Sequence, residues 1–98
     1  MINGNPHDFL DTVYSGQDIV YIYNDIKYWF QGYRRDDGLY HMEVFQDEPP
    51  SENYILEIDE VSLEECYKKF IQSPIFGGKI FWEAEKDIEW VDCWNERI

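Results

Sequence analysis

The chain has 98 residues, 21 Asp and Glu against 8 Lys and Arg, and a formal net charge of −13. That length suits one domain, residues 1–98, able to bury roughly 60–65% of the surface its unfolded chain exposes. Aromatics make up 18% of residues, so this is no disordered acidic tail, and the acidity disfavours direct binding to a nucleic-acid backbone or an anionic membrane.

Asn5-Pro6-His7-Asp8 reads as a helix start: a capping side chain, a proline at the first helical position and an anion in the first turn. Phe9, Leu10, Val13 and Tyr14 share one face of that helix, and Gly16 can close it. From Ile19 the pattern turns to β-branched and aromatic residues, which suit strands. Asn24-Asp25 predicts a two-residue hairpin turn that sets Tyr23 opposite Ile26, Tyr21 opposite Tyr28 and Ile19 opposite Phe30. Asp36-Asp37-Gly38 predicts a three-residue loop into a third strand over 39–46. In that register Phe30 faces Val44 and Gly32 faces Met42, gathering Ile19, Tyr21, Tyr23, Tyr28, Phe30, Met42 and Val44 on one face.

Residues 46–53 form a polar loop broken by Pro49 and Pro50, and a short fourth strand is expected over 54–58. Ser62-Leu63-Glu64-Glu65 is a capping box, with Val61 and Cys66 placed for a hydrophobic staple. Leu63, Cys66, Tyr67, Phe70 and Ile71 make a helical stripe that Pro74 ends. Gly77-Gly78 reads as a flexible break. Beyond it, Ile80, Ala84, Ile88 and Val91 recur at helical spacing, while Ile80, Trp82 and Ala84, then Ile88 and Trp90, alternate as in strands. The helical spacing is preferred. The expected fold is α+β: an N-terminal helix, a three- to four-stranded antiparallel meander, and one or two C-terminal helices on one sheet face.

No apolar run approaches the roughly 18 residues of a membrane-spanning helix, and the N-terminus has no basic and apolar leader pattern. Cys66 and Cys93 stand outside any CxxC or Cys/His cluster, the pattern of reduced, packed thiols. Together these features predict a cytoplasmic protein.

The tail Ile75-Phe76-Gly77-Gly78-Lys79-Ile80-Phe81-Trp82-Glu83, followed by Ile88-Glu89-Trp90-Val91-Asp92, resembles the C-terminal signature of small acidic, uncharacterised bacterial proteins. The hairpin residues Phe30-Gln31-Gly32-Tyr33 are compatible with it. The resemblance implies a small bacterial cytosolic protein and carries over no functional residue.

Catalytic signals are weak. His7 and His41 are the only histidines, and nothing in the spacing brings Cys66, Cys93, a serine or an aspartate to either ring, as a base–nucleophile pair would require. Gly77-Gly78-Lys79 is followed by Ile80 rather than Ser or Thr, so it is not a P-loop. No EF-hand or zinc-ligand spacing occurs. The expectation is a protein without catalytic residues, cofactor or bound metal.

Acidity with direction is the more informative feature. Residues 47–65 hold Asp47, Glu48, Glu52, Glu57, Asp59, Glu60, Glu64 and Glu65 without a Lys or Arg. Trp90 and Trp94 bracket Asp92 near the C-terminus. Tryptophan among carboxylates is a composition suited to a Lys- or Arg-rich protein face. The expected partner-binding set is therefore Asp47, Glu48, Glu52, Glu57, Asp59, Glu60, Trp90, Asp92 and Trp94. The expected partner is a basic protein, such as a nuclease-type toxin or another nucleic-acid-binding protein, which an immunity protein or DNA mimic would block. The competing expectation is an accessory or assembly domain whose acidity serves only solubility.

Overall fold

A computed structural model describes residues 4–91. The first helix, α1, spans Pro6–Ser15. The Asn5 side chain accepts from the His7 N–H at 2.8 Å, and Gly16 ends the helix in the left-handed conformation with φ 76°. Three strands follow, β1 (Ile19–Tyr23), β2 (Ile26–Arg34) and β3 (Tyr40–Glu48), then β4 (Tyr54–Glu60). The helix α2 spans Leu63–Gln72 and is capped by Ser62, whose Oγ accepts from the Glu65 N–H at 3.2 Å.

The hairpin registers agree with the sequence. Tyr23 pairs Ile26, Tyr21 pairs Tyr28, and Ile19 pairs Phe30 around Asn24 and Asp25, both at positive φ. Phe30 pairs Val44 and Gly32 pairs Met42 around the second turn, where Gly38 has φ 90°. A one-residue slip would have turned each of these side chains to the other face.

The tail combines both of its readings. Phe81–Ala84 forms the short helix α3, Glu85–Asp87 a 3-10 turn, and Glu89–Val91 the strand β5. β5 pairs antiparallel with β1, so the sheet has five strands in the order β4-β3-β2-β1-β5, more than the three or four expected. Phe81, Ala84 and Ile88 are fully buried, which accounts for the helical spacing of Ala84 and Ile88. Gly77 and Gly78 are not a loose hinge. Both have positive φ and close a tight turn in which Phe76 and Lys79 exchange backbone hydrogen bonds of 3.1 Å.

The core lies between the sheet and the helices. Phe9, Leu10 and Val13 of α1, Cys66 and Phe70 of α2, and Phe81 of α3 pack with Ile19, Tyr21, Phe30, Met42, Val44 and Ile58. Leu63, Tyr67 and Ile71 flank this cluster, half-buried. Val61 departs from the expected staple: it is 71% exposed, while Cys66 turns fully inward. Cys66 is a free thiol. Among the described residues no helix is long and apolar enough to cross a membrane.

Candidate functional site

Strand alternation leaves a second sheet face, directed away from the helices. Its residues line up across the sheet through the registers. One row runs Val91, Val20, Trp29, Phe45, Tyr54 over all five strands. The Trp29 and Phe45 rings lie nearly parallel with centroids 6.2 Å apart, and Tyr54 approaches Phe45 at 5.6 Å. The next row is Gln31, Glu43, Glu57, and beyond it Tyr33, His41, Asp59. The face thus has an apolar aromatic row bordered by two polar ones.

His41 organises the polar rows. It is buried, 7% exposed, with Nε2 2.7 Å from Glu43 Oε1 and Nδ1 2.8 Å from Asp59 Oδ1. Glu43, two residues along the same strand, is itself buried and accepts from the Gln31 amide. Asp59 also accepts from Arg35 Nη1 at 2.9 Å, and Arg35 holds Asp37 as well. The Tyr33 ring lies 5.0 Å from the imidazole.

A neutral imidazole has one N–H, whereas here both ring nitrogens face carboxylate oxygens. Only the imidazolium donates at both positions. Burial works against that charge, but the hydrogen bonds His41 donates to Asp59 and Glu43 outweigh it, and the His41 pKa is raised. The Arg35 hydrogen bond, and after it that of His41, holds the Asp59 carboxyl below its usual range. The Glu43 charge, first among several causes, pushes the Tyr54 hydroxyl up.

This arrangement corrects the expectation that no aspartate reaches a histidine. As an imidazolium, His41 has no lone pair with which to act as a base. Cys66 lies on the other side of the sheet, its Sγ donating to the Tyr40 carbonyl at 3.5 Å, and burial foremost raises its thiol pKa. Among the described residues no group of His, Cys, Asp and Glu is arranged to hold a metal ion. His7 is exposed beside Trp82, ring centroids 5.6 Å apart.

The acidic stretch 47–65 is free of cations in sequence but not in space. Lys27 lies 3.8 Å from Asp47 and 3.6 Å from Glu48. Arg35 and His41 hold Asp59, Lys69 pairs with Glu60, and Lys68 approaches Glu64 and Glu65. Of the expected partner-binding residues, Glu52 and Glu57 are the exposed carboxylates that make no ion pair among the described residues. Glu57 stands directly opposite Glu43, a like-charge pairing that costs stability unless a cation joins it. Trp90 is half-buried on the core side, its ring 5.5 Å from Phe9 and pressed against Gly4. Asp92 and Trp94 lie outside the described residues.

Tyr33 and Tyr54, on the outer face, are 49% and 47% exposed. The expected partner-binding set includes neither, although Tyr54 flanks the acidic stretch 47–65 in sequence, and Tyr33 stands outside it. Their signal lay in the alternation of the strands. No family model, curated protein or solved structure matches the chain.

Proposed function

We propose that the protein is a non-catalytic binding module that docks and blocks a basic protein on the outer sheet face. The observation carrying this reading is the aromatic row Trp29–Phe45–Tyr54 with the uncompensated Glu57 in the next row and the half-exposed Tyr33 in the row beyond it. Aromatic rings beside carboxylates suit arginine and lysine side chains, through stacking and charge together. The net charge of −13 would steer a positive partner from a distance. Proteins with phosphate-binding grooves, nuclease-type toxins among them, present such a surface.

The site differs from the one expected on charge alone. Asp47, Glu48, Asp59 and Glu60 have internal cations, so the contact is assigned to Tyr33, Tyr54 and Glu57, with Glu52 at its rim. The same internal pairing favours the second reading, an accessory domain whose acidity maintains solubility.

The deciding experiment is a pull-down from the native host at low salt, followed by association rates of the captured protein across a salt series. The Debye length falls from roughly 30 Å at 0.01 M to about 8 Å at 0.15 M. Docking by charge predicts a steep fall in on-rate over that range. It also predicts faster dissociation of Tyr33→Ala and Tyr54→Ala, each checked for folding. A salt-independent on-rate, with both variants unchanged, would give the accessory reading first place.

A further inference from the structure

The docking reading leaves unexplained why its most buried polar groups, His41 and Glu43, form a charged bridge. The groups facing His41 come from three strands. Glu43 lies on its own strand, Gln31 and Tyr33 on β2 with Arg35 just past its end, and Asp59 and Glu57 on β4, where Tyr54 also borders Glu43. The two ends of the bridge are unequal. Glu43 is 5% exposed and fixed by Gln31 as well. The Asp59 side chain is 38% exposed, and Arg35 already supplies it with a second donor.

Resting on that docking reading, we propose that docking at this face is coupled to release of a proton from His41. An arginine or lysine side chain of the partner takes the imidazolium's place as counter-ion to Asp59, and the Nδ1 proton leaves to solvent. The step balances: the face gains one cation from the partner and loses one as H⁺, and the neutral ring keeps its Nε2–H on Glu43. Charge complementarity selects this occupant. Glu57 and Glu43 form an opposed like-charge pair, and a second copy of this acidic chain would add carboxylates to them.

Linkage gives the direction. A cation docked beside the imidazolium disfavours its protonated form, so affinity rises with pH between the bound and free midpoints of His41. The total rise is about tenfold for each pH unit by which docking lowers the His41 midpoint.

The test uses the full chain and a synthetic hepta-arginine peptide, N-acetylated and C-amidated so that its own charge does not change across pH 5–9. Amide and histidine side-chain resonances are followed by NMR over that range, with and without saturating peptide. The expected result is perturbation at Tyr33, Tyr54 and Glu57 together with a fall of about one pH unit in the His41 midpoint. His41→Gln should bind the peptide with an affinity that no longer varies with pH. The unmodified chain decides the matter alone if that variant does not fold. Perturbation of the three amides with an unmoved His41 midpoint would overturn the coupling and leave the docking site standing. Absence of perturbation at those amides would overturn both.

Discussion

His41 stands directly opposite Asp59 across the β3–β4 ladder, with 2.8 Å between Nδ1 and Oδ1. Stability should therefore fall on both sides of a plateau. The His41 pKa is raised in the fold, so its contribution is complete below the unfolded value of about 6.5 and is lost as pH climbs through the folded one. The Asp59 pKa is lowered. Its contribution is complete above about pH 4 and is lost as pH falls through the depressed folded value. Urea midpoints measured from pH 3 to pH 9 should show both limbs, and His41→Gln should flatten the alkaline one. An alkaline limb unchanged by that substitution would mean the bridge carries no stability.

How much of this was readable follows from where the information lies. α1 is punctuated locally by Asn5, Pro6 and Gly16, and the first two hairpins by residues able to take positive φ, so a short window suffices. The Glu43 half of the His41 bridge follows from strand alternation. The Asp59 half depends on pairing across a loop of five residues, 49–53, with a register shift between Val44 and Phe45, and no local signal sets that register. The stretch 47–65 misleads for a related reason: lack of cations along a chain says nothing about cations from Lys27 on β2 or from Arg35 just past its end. In the tail, one buried face serves a helical turn and a strand within eleven residues, and no single period describes both.

Gly32 and Gly16 meet back to back where α1 ends against β2. The Gly32 N–H donates to the Gly16 carbonyl at 3.1 Å, and a Cβ on Gly32 would lie 3.0 Å from the Gly16 Cα and 3.3 Å from its oxygen. Both neighbours are backbone, so neither can rotate aside. Gly32→Ala should cost about 1–3 kcal/mol in a urea melt. A loss within about 0.5 kcal/mol, the range of an ordinary surface change, would show that α1 shifts without penalty.

Phe70 and Trp90 separate core packing from docking. Phe70 is fully buried, edge-on to Phe30 at 5.4 Å and to Phe76 at 6.5 Å. Phe70→Ala should cost about 3–5 kcal/mol, a large share of a small domain's stability. Trp90 presses on Phe9 and Gly4, so Trp90→Ala should also lower the urea midpoint, by about 2–4 kcal/mol, its ring being only half-buried. If Trp90→Ala left stability intact and instead hastened dissociation of a partner, the tryptophan would belong to the docking surface.

Trp29 carries a polar cost within the aromatic row. Its Nε1 is buried and has no acceptor among the described residues, although the indole stacks in parallel on Phe45. A buried donor left unpaired costs about 1–3 kcal/mol, and phenylalanine removes the donor while keeping a ring in the stack. The smaller ring gives up some packing, a loss of similar size and opposite sign. Trp29→Phe should accordingly change stability by less than about 1 kcal/mol, whereas Trp29→Ala, losing the stack, should cost about 3 kcal/mol. Since the sequence has four tryptophans, the comparison is best made by circular dichroism rather than fluorescence. A Trp29→Phe variant as unstable as Trp29→Ala would mean that the indole N–H is satisfied in solution. The selection of tryptophan at this position would then rest on a hydrogen bond rather than on its aromatic surface.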